Sequence, residues 1–131
     1  MNKTLDQRRA EHAWEAIERI GEGDGAKEYA REAKKMPVRI MASGLGQALS
    51  FIMAKGKKKP TLRQLHDDLT KWVIDKRGIP AKNSQSLLES IFKGDSDFLR
   101  RATDEVLTYL QWLNRFAEAK GLSDDDNRSN P

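Results

Sequence analysis

Apolar side chains recur at steps of three and four residues along most of this chain, and this spacing is the strongest constraint on its fold. The clearest stripe lies between residues 96 and 120 and consists of Leu99, Ala102, Val106, Leu110, Leu113 and Ala117. Such steps place side chains on one face of an α-helix. No segment shows the alternating pattern of a half-buried strand. The sequence therefore predicts an all-α fold.

The boundaries of the helices follow from capping and helix-breaking residues. Thr4 and Gln7 form a capping-box pattern at the start of a helix that we expect to end at Gly21. A second helix is predicted over about residues 26–35, followed by a kink or break at Met36-Pro37 and a short helix to about residue 41. Thr61 and Gln64 suggest a second capping box. The other predicted helices cover about residues 45–54, 61–76, 84–92 and 96–120.

Length and composition indicate how the helices are organised into domains. The chain has 131 residues, of which 34% are charged, and it has no cysteine. We predict a single compact bundle of about six helices over residues 1–121 and a disordered acidic tail over residues 122–131. There is no sign of a signal peptide or of an apolar run long enough for a membrane span. We therefore expect a cytoplasmic protein with no membrane partner.

Residues that could support catalysis or bind metal form only weak patterns. The two histidines, His12 and His66, lack the Glu-x-x-His pairing of helical di-metal sites. His66, Asp67 and Asp68 are adjacent on a helix and should point in different directions, so a solvated face is expected. The absence of cysteine excludes thiol catalysis. We predict no catalytic residue, no metal site and no cofactor, and hence a protein that is not an enzyme.

The glycines at positions 44 and 46 precede a predicted helix and could suggest a phosphate-binding loop. Gly44 and Gly46 lack the third glycine, the Lys-Ser/Thr pair and the preceding strand of such a loop. We therefore interpret them as a tight joint between two helices.

Positive charge is concentrated in one central segment. Residues 34–63 contain no acidic side chain, whereas the rest of the chain has sixteen basic and twenty acidic residues, and the whole chain carries a net charge of +4. A polyanion such as RNA is the simplest partner for this segment. The candidate nucleic-acid-binding residues are its eight basic side chains, Lys34, Lys35, Arg39, Lys55, Lys57, Lys58, Lys59 and Arg63.

The aromatic residues are expected to pack rather than to bind bases. Phe51, Trp72 and Trp112 lie on apolar faces of predicted helices, where core packing is their usual role. Trp14 departs from the stripe of the first helix. It could either flank the core or belong to an interface with a partner.

Four blocks of sequence together resemble a known family. They are Leu5-Asp-Gln-Arg-Arg-Ala-Glu-His-Ala-Trp14, Tyr29 with Ala33-Lys-Lys-Met-Pro37, Ser43-Gly-Leu-Gly-Gln-Ala-Leu-Ser-Phe51, and Thr103-x-Glu105 with Leu110-Gln-Trp-Leu-Asn-Arg-Phe-Ala-Glu118. In this order they resemble the small α-helical subunit of the type III-B CRISPR effector, the Cmr complex. Ser43 stands where the family usually has Asn, but both residues can cap a helix.

The resemblance implies a role and a set of partners. The family is a non-catalytic subunit of a ribonucleoprotein, in which several copies stack beside a large polymerase-like subunit. They face the backbone subunits that hold the guide RNA, and target RNA lies in the groove between them. The resemblance thus implies other Cmr subunits, further copies of this chain, guide RNA and target RNA as partners. It does not identify which basic residues touch RNA.

Two other classes remain open from the residues alone. One is a free-standing small helical nucleic-acid-binding protein, such as a helix-turn-helix regulator. It would need an exposed recognition helix, but the helix predicted over residues 61–76 carries Asp67 and Asp68, which would repel phosphate. An adaptor that binds only protein would use the lysines merely for solubility.

Overall fold

The structure of the protein is a computed structural model that describes residues 2–80 and 86–122. Within these residues it contains no strand and six α-helices, namely α1 (Leu5–Ile20), α2 (Asp24–Ser43), α3 (Leu45–Gly56), α4 (Pro60–Thr70), α5 (Leu87–Lys93) and α6 (Ser96–Ala119). A π-helical segment, Lys71–Lys76, follows α4 directly. The predicted all-α bundle is therefore confirmed.

Helix α2 connects the parts of the bundle, because it contacts α1, α3, α4 and α6. The long helix α6 also packs against α1, and α5 covers parts of α3 and α4. The apolar stripes of these helices meet in one buried cluster. Its largest fully buried side chains include Trp72, Tyr29, Tyr109, Met36, Leu49 and Leu65.

The start of α1 matches the prediction from its capping residues. The hydroxyl of Thr4 accepts a hydrogen bond from the backbone N–H of Gln7 at 3.0 Å, and the Gln7 side chain accepts one from the N–H of Thr4 at 2.8 Å. Two donors that the first turn of a helix leaves unpaired are thus satisfied. The capping box is confirmed.

Of the kink or break predicted at Pro37, the break is wrong, because α2 continues through this residue to Ser43. Proline has no N–H, so the carbonyl of Ala33, four residues earlier, loses its usual helical donor. The side-chain amide of Asn114 on α6 donates a hydrogen bond to this carbonyl at 3.1 Å. A contact from a distant helix therefore satisfies the group that the proline leaves unpaired.

The second predicted capping box is also wrong. Helix α4 begins at Pro60, and its cap residue Lys59 makes no side-chain capping bond. Proline suits the first helical position because its fixed φ angle is already helical and its missing N–H has no partner there anyway. The end of α3 and the start of α4 are closely packed at this turn. A Cβ on Gly56 would lie only 3.0 Å from the backbone nitrogen of Arg63.

Two leucines differ from their predicted environments. Leu99, assigned to the core stripe of the last helix, is 39% exposed, and its neighbour Phe98 is buried instead against Gly94 before α6. The first turn of α6 packs onto the turn between α5 and α6 through Phe98. Because adjacent residues of a helix point about 100° apart, the burial of Phe98 leaves Leu99 facing outwards. Leu122, assigned to the tail, is buried because Gly121 turns the chain and the Leu122 N–H bonds to the Ala117 carbonyl.

Two other predicted features extend past the described residues. The first two residues of the helix predicted over residues 84–92 lie outside them. Ser86 caps α5 by accepting a hydrogen bond from the N–H of Glu89 at 3.1 Å. The remainder of the predicted tail, residues 123–131, also lies outside the described residues.

Gly44 forms the joint between α2 and α3, as predicted. Its φ angle of 89° and ψ angle of 160° lie in a region that is open almost only to glycine. We expect Gly44→Val to lower the free energy of unfolding by about 1–3 kcal/mol through backbone strain alone, because no atom lies within 4 Å of a Cβ placed there. Thermal or urea unfolding would measure this loss.

The matched control for Gly44→Val is Ser43→Ala at the exposed end of α2. It should change stability by less than about 0.5 kcal/mol. An unchanged melting temperature for Gly44→Val would contradict the strain argument. Gly44→Ala should cost nearly as much as the valine variant, since the backbone angle and not the side-chain volume is the cause.

Candidate nucleic-acid interface

The eight basic residues lie on adjoining parts of the bundle. Lys34, Lys35 and Arg39 are on α2, Lys55 is in the last turn of α3, and Arg63 is in the first turn of α4. The three lysines at positions 57–59 form the turn between α3 and α4. We expected the α2 group to join the others only if the chain folded back at Pro37. The fold-back is instead made at Gly44, and it packs α3 along α2.

Glu32 connects the two groups of cations. Its buried carboxylate binds Arg39 Nη1 through one oxygen at 2.7 Å and Lys55 Nζ through the other at 3.0 Å. Burial alone would raise the pKa of Glu32, but the hydrogen bonds from Arg39 and Lys55 outweigh it and hold the pKa below its ordinary value. Glu32 therefore stays ionised and holds both cations in place.

A second ion pair brings the α3–α4 turn to the same side of α2. Lys59 Nζ binds the carboxylate of Glu28, one turn before Glu32. Glu28, Glu32, Lys35 and Arg39 follow one another at steps of four, three and four, so they share one stripe of α2. Lys34 is rotated from that stripe by roughly 100°. We call the seven residues Lys35, Arg39, Lys55, Lys57, Lys58, Lys59 and Arg63 the basic face.

The ion pairs show that the sequence overstates the free positive charge of the segment. Arg39, Lys55 and Lys59 are partly neutralised by acids that precede residue 34. Lys35, Lys57, Lys58 and Arg63 are exposed and form no ion pair with any other residue that the structure describes. The uncompensated charge of the basic face therefore lies mainly in the turn and at the start of α4.

Phe51 was expected in the core, and this expectation is wrong. Its side chain is 41% exposed, with the Arg39 guanidinium carbon 4.0 Å and Lys55 Nζ 5.0 Å from the ring centre. The reason is its position on α3: Ala48, Leu49 and Ile52 fill the side that faces the core. The ring borders a shallow surface cavity of about 480 Å³, which is lined by Arg39, Ser43, Gln47, Ala48, Ser50 and Phe51.

The three tryptophans lie in three different environments. Trp72 is fully buried and Trp112 is half-buried against the core, so their predicted packing roles are confirmed. Trp14 is 36% exposed, contacts Phe116 edge-on at 5.1 Å and carries Lys120 Nζ over its ring at 4.7 Å. It therefore flanks the core and keeps an exposed face.

The expected solvated face at residues 66–68 is wrong for two of its three members. His66 and Asp68 are buried, and only Asp67 reaches the surface. Asp68 accepts hydrogen bonds from the Tyr29 hydroxyl at 2.6 Å and from Gln64 Nε2 at 2.8 Å, and it pairs with Arg19 at 3.2 Å. Burial, followed by the charge of Asp68, raises the pKa of Tyr29 well above its ordinary value. Asp68 and its partners thus satisfy one another within the fold, whereas the buried Nε2 of His66 has no hydrogen-bond partner among the described residues.

Sequence reasoning also missed a second buried carboxylate, that of Glu105 on α6. It binds Arg9 through both oxygens, accepts from Trp72 Nε1 at 2.9 Å and pairs with Arg77 at 3.0 Å. Burial would raise its pKa, but the hydrogen bonds, first from Arg9 and then from Trp72, hold the pKa below its ordinary value. Its burial could have been predicted from its position, because Glu105 lies three residues after Ala102 and therefore on the apolar face of the helix.

Residues 2–80 and 86–122 contain neither a cluster of metal ligands nor a membrane-spanning helix. No group of three or more His, Asp or Glu residues there is arranged to hold a metal ion. None of the described helices is long and apolar enough to cross a membrane. Gly44 forms the joint between α2 and α3, as expected, whereas Gly46 lies within the first turn of α3. A Cβ on Gly46 would contact Ile91 Cγ2 at 3.3 Å.

Comparisons with known proteins agree with the helical architecture. The model of the CRISPR-associated protein family Cas_Cmr5 matches residues 5–120. The CRISPR system Cmr subunit Cmr5 of Thermus thermophilus is 32% identical over 117 residues, which cover 89% of this chain and 96% of that protein. The crystal structure of a CRISPR-associated Cmr5 family protein from Thermus thermophilus superposes with a TM-score of 0.74 at 30% identity, over 90% of this chain and 97% of that one. The chain belongs to the Cmr5 family of CRISPR-associated proteins.

Proposed function

We propose that this protein is a non-catalytic small subunit of a type III-B CRISPR Cmr ribonucleoprotein effector that acts in antiviral defence. The observation that carries the proposal is the family match over residues 5–120, together with a relative that is named as a Cmr subunit. Its partners are then the large polymerase-like subunit, the backbone subunits and further copies of itself. Guide RNA and target RNA are the nucleic acids that it meets.

The basic face is the part of the chain that we assign to RNA. Lys57 and Lys58 are exposed beside Lys59 and Arg63, and Glu32 fixes Arg39 and Lys55 on the same side of the bundle. Phosphate contacts of this kind position a protein on RNA without reading its sequence. Such contacts suit a complex in which the guide selects the target by base pairing. Copies stacked side by side would add their contacts along one strand.

A non-catalytic role agrees with the state of the buried carboxylates. Asp68 is held by Tyr29, Gln64 and Arg19, whereas Glu105 is held by Arg9, Trp72 and Arg77. The acceptor sites of these two buried carboxylates are thus occupied by fixed donors of the fold, which is the usual state of a structural carboxylate. Cleavage of target RNA would then belong to another subunit of the complex.

The test is reconstitution of the Cmr complex with and without this chain. We expect the chain to co-purify with the other subunits, and its omission to weaken target-RNA binding without loss of the guide RNA. The chain alone should cleave no RNA, with or without divalent metal. A chain that binds the other subunits but leaves target affinity unchanged on omission would be a protein-only adaptor. Binding to RNA without any affinity for Cmr subunits would instead indicate a free-standing nucleic-acid-binding protein.

A further inference from the structure

An exposed aromatic ring lies within the basic face. Phe51 is 41% exposed, whereas its helical neighbours Leu49 and Ile52 are fully buried. The Arg39 guanidinium carbon is 4.0 Å from the ring centre, and Arg39 is itself tied to the buried carboxylate of Glu32 at 2.7 Å. The ring and the cation beside it are therefore held in a fixed arrangement and do not have to be ordered when a ligand binds.

Hydrogen-bonding groups surround the same ring. The shallow cavity beside Phe51 has Ser43 and Arg39 of α2 on one wall and Gln47 and Ser50 of α3 on the other. Gln47 and Ser43 are exposed, and an amide and a hydroxyl can each donate or accept at the edge of a base. The cavity thus combines an apolar ring, polar edges and nearby positive charge.

These features are those by which proteins bind single-stranded nucleic acid. A basic surface follows the phosphates, while bases stack on aromatic rings or on the plane of an arginine. A paired base inside a duplex has no free face for such stacking. The arrangement around Phe51 therefore favours an unpaired nucleotide over a duplex.

We propose that Phe51, supported by Arg39, is a stacking platform for an unpaired nucleobase of single-stranded RNA, with the adjacent phosphates on Lys57 and Lys58. The proposal rests on the proposed function, because it concerns the same basic face. The proposed function involves only phosphate contacts of the basic face, and the stacking platform adds a contact with a base. Gln47 and Ser43 would contact the edge of the stacked base.

The test compares two RNA ligands of equal length and charge, an oligoadenylate and an abasic ribose-phosphate chain, in binding to the full chain at low salt. We expect the wild type to bind oligoadenylate about tenfold more tightly, which is the range of a single stacked base. Phe51→Leu should remove this preference and leave the affinity for the abasic chain unchanged. Phe51→Tyr should keep the preference, because it retains the ring.

The matched control is Phe92→Leu. Phe92 is 67% exposed on α5, and none of the cations in the described residues lies over its ring. This variant should keep the preference for oligoadenylate. A second measurement uses fluorescence: 2-aminopurine, placed as the one base of an otherwise abasic chain, should lose fluorescence when the wild type binds, and Phe51→Leu should restore it.

Other outcomes separate this proposal from the proposed function. Equal binding of both ligands by the wild type, a preference that survives Phe51→Leu, or unquenched 2-aminopurine would overturn the stacking platform and leave the basic face intact. Full affinity for the abasic chain after reversal of Lys57, Lys58 and Lys59 would argue against the basic face and would overturn the placement of the phosphates on Lys57 and Lys58. A wild type that binds neither ligand at low salt would overturn both.

Discussion

We expect Glu105→Ala to lower the free energy of unfolding by about 3–5 kcal/mol, the range observed when one partner of a buried ion pair is removed. Glu105 is 4% exposed, and its carboxylate is the acceptor for Arg9, Arg77 and the indole N–H of Trp72. Its loss leaves the indole donor of Trp72 buried without a partner and removes the counter-charge of two arginines. Urea unfolding followed by circular dichroism would measure the change.

The matched control is Glu118→Ala on the same helix. Glu118 pairs with Arg115 at 3.7 Å, and both side chains are exposed, so the loss should be below about 0.5 kcal/mol. A similar loss in both variants would mean that Glu105 contributes only helix propensity and not an interhelical contact.

The same carboxylate should make the fold sensitive to acid. The pKa of Glu105 in the folded protein lies below its ordinary value of 4.5, so the unfolded chain binds a proton more readily. Its stabilising contribution is therefore complete above the ordinary pKa and is lost as pH falls through the lower, folded pKa. We expect the stability of the wild type to fall as the pH is lowered below the ordinary value of 4.5. The free energy of unfolding of Glu105→Ala should depend less steeply on pH over this range. An equally steep dependence would contradict the assignment of the acid sensitivity to Glu105.

The second large effect concerns RNA. We expect simultaneous change of Lys57, Lys58 and Lys59 to Glu to weaken target-RNA binding by the reconstituted complex about 100-fold at 0.1 M salt. Loss of three phosphate contacts should also reduce the slope of log affinity against log salt by about two for each copy that touches RNA. The loss should be similar for all targets matched to their guides, because phosphate contacts do not read sequence.

A control with the same change in net charge is available on the rest of the surface. Lys93, Arg100 and Arg115 are exposed and lie outside the acid-free segment, so their joint reversal to Glu should leave target affinity nearly unchanged. Identical affinities and salt slopes for the wild type and the lysine variant would mean that the turn merely faces solvent. The protein-only adaptor would then be the better interpretation.

The helices themselves follow from the sequence, because their signals are local. The apolar stripe of α6 and the capping box at Thr4 depend on residues within a few positions of one another. The joint at Gly44 is equally local, since only the backbone angle of one residue is involved. Even the family could be inferred, because its blocks are short runs in a fixed order.

Other features were decided by contacts between residues that are far apart in the chain. Pro37 predicts a break, but Asn114, 77 positions later, supplies the missing donor to Ala33 and α2 continues. Burial of Asp68 depends on Tyr29 and Arg19 from two other helices. No spacing within a single helix carries this information.

The basic face shows the same division between sequence and tertiary structure. The acid-free segment and its eight cations are plain in the sequence, and they predict a polyanion as the partner. Only the packing of α3 on α2 showed that Glu32 joins Arg39 to Lys55 and that Phe51 lies exposed beside them. A charge pattern states which residues are basic, whereas the folding of distant segments decides which acids neutralise them and which rings stay at the surface.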